Sequence, residues 1–302
     1  MIDNKNCITI SGLNKVYPNG YHALKDINLV IPPGMFGLLG PNGAGKSTFM
    51  RILVALMEPS SGQIDAYGYD LLKQRKQVRS ILGYLPQDFR FFAKYKTYEY
   101  LDYAAALSGM TNSRERKNAV DAMLEEVGLY EARDRYANRL SGGMKRRLGI
   151  AQALIHSPRV IIVDEPTTGL DPEERIRFRN LLSKVSANNV TVILSTHIVG
   201  DISSTCNNMA LLNKGEVSFK GSPEEMLKHA EGKVWRVEVD NDQLREISEK
   251  YPVISTIPTN KGWELQVVAD RVEGYDTEPI QPNLEHAYVY FMESNYNIWN
   301  QE

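Results

Sequence analysis

Cysteine is scarce in this chain, with Cys7 and Cys206 the two among 302 residues. Two cysteines build no disulfide framework, and no Cys-x-x-Cys pair is present to hold zinc. A basic excess is also missing. Thirty-five Lys and Arg stand against 37 Asp and Glu, for a formal net charge of -2, so there is no surplus of cations to displace counterions from a nucleic-acid backbone. Nucleic acid is therefore not expected as a partner. Long hydrophobic runs are absent too. No stretch approaches the roughly 20 apolar residues that span a bilayer, and the opening "MIDNKNCITI" has no basic segment followed by an apolar signal core. The expectation is a cytoplasmic protein; if it serves a membrane, it does so through a partner. Internal repeats and low-complexity runs are lacking as well. What is present is an ordinary globular composition, 42% hydrophobic and 24% charged, in a chain long enough for one large domain and a smaller one.

Residues 7–16 and 22–31 read as strands joined by a turn at Pro18, Asn19 and Gly20. The apolar "MFGLLG" (35–40) is a short strand running into a glycine-rich loop. After the loop, "KSTFMRILVALM" has helical periodicity through Phe49, Ile52, Leu53 and Leu56. Residues 61–68 and 80–86 suggest two further strands. From about 97 to 139 the pattern is helical, with Val120, Met123, Leu124 and Val127 on one face. An α/β pattern then resumes: "RVIIVDE", a helix from Pro172 to Val185, and "VTVILSTH", consistent with parallel strands linked by helical crossovers. A hairpin turning at Lys214 and Gly215 and a helix capped by Ser222 with Pro223 at its first position follow. Strands "VWRVEV" and "GWELQVV", the polar segment 273–283 and an amphipathic helix bearing Leu284, Tyr288, Phe291 and Met292 read as a separate small α+β unit. The division expected is 1–230, with a helical insertion at about 88–145, and 231–302.

"GPNGAGKST" supplies Gly40, Pro41, Asn42, Gly43, Ala44, Gly45, Lys46, Ser47 and Thr48 between a strand and a helix. Glycines let successive N–H groups turn toward phosphate oxygens, and the helix N-terminus adds its positive end. Lys46 is expected to reach the β- and γ-phosphates, and the Ser47 hydroxyl to ligate magnesium. The apolar strand of "RVIIVDEP" ends in Asp164, which can hold the metal through water. Glu165 lies just past the carboxyl end, where a general base belongs. A second glycine pair stands in "RLSGGMKRRLG" (139–149), where Ser141, Gly142 and Gly143 open a helix and offer another phosphate site. Gln87, His197 and Tyr17 say little singly: a polar loop residue, a histidine at a strand end and a tyrosine beside a turn. Asp171 followed by Pro172, Glu173 and Glu174 is a helix start. Lys145, Arg146 and Arg147 read equally as a solvated face or a contact surface.

Taken in order, these parts resemble the ATPase subunit of ATP-binding cassette (ABC) transporters over roughly residues 7–230. The resemblance implies an α/β P-loop fold with a mixed core sheet, an antiparallel β subdomain and the helical insertion; the small C-terminal α+β domain read above lies beyond it. It implies ATP and Mg2+ as cofactors, with Ser47, Gln87 and Asp164 at the metal. Tyr17 is then the adenine-stacking aromatic, and Lys46, Gln87, Glu165 and His197 are the catalytic residues. Leu140 to Met144 become the signature, whose Ser141, Gly142 and Gly143 cap the ATP of a second, head-to-tail ATPase subunit, and Asp171 belongs to the loop communicating across that interface. Met144 stands where the signature often has glutamine. An integral-membrane permease is the other implied partner, docked near Gln87 and the insertion. "GMKRR" and the C-terminal "PNLEHAYVYFM" resemble drug and antibiotic exporters more than nutrient importers, so export is expected. A cassette ATPase acting on DNA or the ribosome is the rival, but only residues 49–139 separate loop from signature, and neither a coiled coil nor a basic linker is present.

Overall fold

The computed structural model describes residues 6–89, 91 and 94–299, with side chains as far as Met292. Positions 1–5, 90, 92 and 93, the last three inside the insertion, and 300–302 lie outside the described residues. β1 (Ile8–Val16) and β2 (His22–Ile31) pair antiparallel, Ile8 opposite Ile31. Buried Ile8 and Ile10 alternate with polar neighbours until a bulge passes the buried position to Leu13. β3 (Met35–Leu39) is buried throughout, as a strand covered on both faces must be. It runs through the glycine loop into α1 (Lys46–Leu53). β4 (Ser61–Ala66) and β5 (Tyr69–Asp70) complete an antiparallel sheet of order β2-β1-β4-β5.

α1 is shorter than its periodicity suggests. Ala55 adopts a left-handed φ of 54°, and Leu56 N–H turns back to Arg51 O at 3.0 Å, closing the helix end. Leu56, placed on the helical face by the pattern, lies beyond the helix and is exposed.

α2 (Arg75–Ser80) leads to β6 (Leu82–Leu85), and the insertion supplies α3 (Thr97–Leu107) and α4 (Ser113–Glu126). α5 (Gly142–Leu154) returns to β7 (Val160–Asp164), α6 (Pro172–Ala187), β8 (Thr191–Thr196), α7 (Val199–Ser203), β9 (Asn208–Asn213) and β10 (Glu216–Gly221). The core sheet has the order β10-β9-β3-β8-β7-β6. It is parallel from β9 to β6, with β10 antiparallel on its edge. This is the mixed sheet that was anticipated. Its strand order explains the site: β3, β8, β7 and β6 lie side by side and end within two residues of Gly40, His197, Glu165 and Gln87. Parallel strands gather their carboxyl ends on one edge, where open α/β sheets bind ligands.

After α8 (Pro223–Ala230), with its Ser222–Glu225 capping box, come β11 (Val234–Val239), α9 (Asn241–Lys250), β12 (Val253–Thr259), β13 (Gly262–Val268) and β14 (Thr277–Pro279). Together the strands form a third sheet, β12-β13-β11-β14, over a small core of Val237, Val239, Ile247, Leu265, Val267 and Val272. The final helix, α10 (Leu284–Trp299), packs on α8 and α7 as well as β13. Its Leu284 and Ala287 are buried in the larger core with Met226 and Ala230, and Phe291 lies 5.2 Å from Phe219 of β10, ring centre to ring centre. Both cysteines are buried without a disulfide, and burial pushes the Cys206 thiol up to about 12.

Candidate active site

The phosphate loop is shaped by its glycines. Gly45 has a φ of 106°, and a β-carbon there would stand 2.7 Å from Ala23 O, so no other residue fits without displacing backbone. α1 opens at Lys46 with neither a side-chain cap nor an acidic residue in its first turn. Its first N–H groups are thus left to an anionic ligand. Of the loop residues, Asn42, Gly43, Gly45, Lys46, Ser47 and Thr48 line a cleft of about 400 Å³ with Tyr17, Tyr21, Gln87 and Glu165. Gly40 and Pro41 act through their carbonyls, which accept from Lys46 Nζ at 2.8 and 3.1 Å. Ala44 is buried in the core.

Lys46 and Glu165 are 5% and 6% exposed, and Lys46 Nζ lies 3.2 Å from Glu165 Oε1. Glu165 follows the last residue of β7 with a φ of 46°. Its N–H donates to Ser195 O at 3.1 Å and Ser195 Oγ at 3.2 Å. The left-handed turn is held by these bonds to β8. Glu165 Oε2 accepts from Gln87 Nε2 at 3.4 Å and Thr168 Oγ1 at 3.5 Å. His197 Nδ1 approaches the same oxygen to 3.2 Å, without hydrogen-bond geometry. Four residues scattered over 150 positions of sequence thus converge on one carboxylate.

Asp164 is buried beneath them. Burial holds its carboxyl above the usual range, opposed by a very short hydrogen bond from Ser195 Oγ and reinforced by the neighbouring Glu165 charge; the Ser47 hydroxyl and Lys46 pull it back down.

Tyr17 is tethered by its hydroxyl, 3.0 Å from Thr48 Oγ1. The ring of Tyr21 lies 6.4 Å away at an interplanar angle of 21°, and its hydroxyl donates to Gly43 O at 3.5 Å. Stacking of a base on an aromatic ring contributes about 1–3 kcal/mol, against several charged hydrogen bonds at the phosphates. Tyr17→Ala is therefore expected to weaken ATP binding by about 5- to 150-fold while leaving kcat near normal at saturation. A fluorescent-nucleotide titration beside steady-state rates checks this, and a loss of binding equal to that of Lys46→Ala refutes it.

Ser141, Gly142 and Gly143 do not join this cleft in the single chain. Ser141 Oγ caps α5 by accepting from Met144 N at 3.3 Å. Gly142 faces open space, whereas a β-carbon on Gly143 would strike the Glu174 carboxylate at 2.2 Å. The basic triplet is partly structural: Arg146 donates to Gln87 O at 2.7 Å, and Arg147 donates to Val127 O and Gly128 O at 3.1 and 3.0 Å. Asp171 caps α6 through Glu174 N at 2.9 Å. Sequence reasoning missed Ser195, Thr168 and Tyr21; a serine following the apolar run of the buried "TVILST" strand was the available signal for the first.

A phosphate loop at the end of one parallel strand, with adjacent acids at the end of another, defines a P-loop nucleotide hydrolase. Residues 24–168 match the family described as ABC transporter. YxlF of Bacillus subtilis, an uncharacterized ABC transporter ATP-binding protein, is 35% identical over 83% of this chain and 82% of its own. Escherichia coli YbhF, a probable multidrug ABC transporter ATP-binding protein, is 31% identical over 82% of this chain and 43% of its own. MetN of Vibrio cholerae, a methionine import ATP-binding protein, is 36% identical over 74% of this chain and 67% of its own. Among solved structures, the dimeric post-hydrolysis cassette MJ0796 bound to ADP and Pi aligns with a TM-score of 0.66 at 25% identity, covering 71% of this chain and 98% of that one. The chain belongs to the ABC transporter ATP-binding proteins, a family that hydrolyses ATP.

Proposed function

We propose that this chain is the motor subunit of an ABC exporter, acting as one of a pair of cassettes beneath a separate membrane permease, on the cytoplasmic face of the membrane. The observation that carries the pairing is the separation of the two phosphate-binding features: Lys46 and its neighbours form one cleft, while Ser141 and Gly142 face outward from another surface. Each cleft would be closed by the signature of the partner cassette. Among the described residues no helix is long and apolar enough to cross a membrane, which agrees with a permease supplied separately. Export is favoured by the "GMKRR" sequence and by kinship with YbhF; kinship with MetN makes import the competing reading.

In this reading the phosphate loop and Lys46 hold the β- and γ-phosphates, and Tyr17 takes the adenine face. Glu165 accepts the proton of the attacking water, His197 steadies the γ-phosphate, and Gln87 links the site to the surface near the insertion. Ser47 and Asp164 present adjoining hard oxygens, one on a buried carboxylate, with the Gln87 amide at the cleft wall. That donor set suits Mg2+, which when bound would offset charge on the phosphates.

Ser141→Arg tests the shared site. ATP binding to the isolated chain is expected to stay within about twofold, while hydrolysis falls by about a hundredfold or more as the cap on the partner's phosphate is lost. Turnover near the wild-type rate refutes sharing. Transport of a drug panel into or out of vesicles carrying the permease decides direction.

A further inference from the structure

Behind the catalytic loops lies a carboxylate that the hydrolytic scheme leaves unused. Asp201, on α7, is completely buried. Its Oδ2 accepts from Thr167 Oγ1 at 2.5 Å and from Thr196 Oγ1 at 3.3 Å, and Thr205 Oγ1 donates to its backbone carbonyl at 2.6 Å. Its Oδ1 is also buried and has no hydrogen-bond partner among the described residues. Burying a carboxylate is costly even when it is well bonded, and leaving one oxygen unpaired adds to that cost. A well-packed apolar residue would serve the core alone better.

The two threonines belong to different loops of the site. Thr167 stands two residues after Glu165, and the turn it begins, closed by Leu170 N to Thr167 O at 3.1 Å, carries Thr168 onto the Glu165 carboxylate. Thr196 immediately precedes His197, and its Oγ1 also accepts from Ile198 N at 2.9 Å, fixing the chain on the far side of the histidine. One buried carboxylate therefore ties the end of β7 to the end of β8, beneath the point where Glu165 and His197 approach to 3.2 Å.

We infer that Asp201 is a positioning residue for ATP hydrolysis, clamping Thr167 and Thr196 so that Glu165 and His197 are held in register with each other; this rests on the proposed reading that Glu165 and His197 act on ATP. A shift of about 1 Å in a catalytic group lowers a rate by as much as a hundredfold without weakening binding made elsewhere. The clamp touches neither the phosphate loop nor Tyr17, so it separates turnover from binding.

The test compares Asp201→Asn, Asp201→Ala, Thr167→Val and Thr167→Ser for kcat, KM, fluorescent-ATP affinity and thermal midpoint, alone and on a Glu165→Gln background. Expected are a loss in kcat of about tenfold for Asp201→Asn and Thr167→Val and up to about a hundredfold for Asp201→Ala, with KM and ATP affinity within about twofold. Thr167→Ser, which restores the hydroxyl, is expected to recover kcat. Added to Glu165→Gln, Asp201→Asn should lower the residual rate little further, since its effect passes through the same residues. Asp201→Asn or Thr167→Val at wild-type kcat, with wild-type turnover intact, overturns the inference alone, as does full additivity with Glu165→Gln. If Asp201→Ala does not fold, the two threonine variants decide. A wild-type chain that turns over no ATP, alone or with its permease, overturns the ATPase reading and this inference with it.

Discussion

Lys46→Ala is expected to abolish ATP turnover and to weaken the fold at the same time. Each charged hydrogen bond from the ammonium to a phosphate oxygen contributes about 1.5–3 kcal/mol, and the γ-phosphate loses its main neutralising charge within the protein. In the protein alone the same ammonium faces Glu165 at 3.2 Å, both groups almost fully buried. Removing it leaves a buried carboxylate without its cation, at a cost of about 3–5 kcal/mol when such a pair is broken. The thermal midpoint should fall by several degrees, since about 1 kcal/mol shifts a domain of this order of size by roughly 2–4 °C. Calorimetry and a nucleotide titration measure the two effects separately. ATP affinity within a few-fold of wild type would remove Lys46 from the phosphates, and an unchanged midpoint would show that the Lys46–Glu165 pair contributes nothing to the fold.

The second large effect is expected from Glu165→Gln. The amide keeps the shape of the side chain but accepts no proton from water, so turnover should fall by about a hundred- to ten-thousandfold. Lys46 loses the Glu165 charge beside it but keeps its bonds to the Gly40 and Pro41 carbonyls of the phosphate loop, and ATP binding should survive. With hydrolysis slowed, nucleotide should hold two cassettes together, because ATP favours whichever arrangement offers it more contacts. Light scattering with ATP, comparing variant and wild type, reads the trapped pair. A variant that turns over within about tenfold of wild type removes Glu165 as general base.

Legibility in the sequence followed how local each job is. The phosphate loop is contiguous, and its strand–loop–helix setting shows in "MFGLLG" and the residues that follow. Asp164 and Glu165 close an apolar run and are nearly as visible. Gln87 and His197 gain meaning only from the order β3-β8-β7-β6, which sets distant strand ends side by side, and Tyr17 only from the contact of its hydroxyl with Thr48; motif order was a substitute for that geometry. Ser195 and Asp201 stayed hidden because a hydroxyl in an apolar strand and an acid in a five-residue helix look incidental until their partners across the sheet are known. In the C-terminal part, α9 was missed although Asp240 caps it by accepting from Asp242 N and Gln243 N at 3.0 and 2.9 Å. β14 was read as part of a polar segment because only its pairing with β11 makes it a strand. α1 was drawn too long because Leu56 continues the 3.6-residue period past the left-handed turn at Ala55. Relatives named for multidrug transport and for methionine import share this cassette, so its motifs alone do not carry the direction of transport.

The docking of α10 against α8 and β10 bears on the order of events during synthesis. Leu284 and Ala287 enter the main core from a helix that follows the whole third sheet, so a nascent polypeptide that has emerged only through α8 still shows an uncovered apolar face at Met226, Ala230 and Phe219. Domains generally fold as units while the ribosome is still elongating. This one completes its main core only once α10 has been made, and a truncation ahead of that helix would strip the motor of part of its own interior.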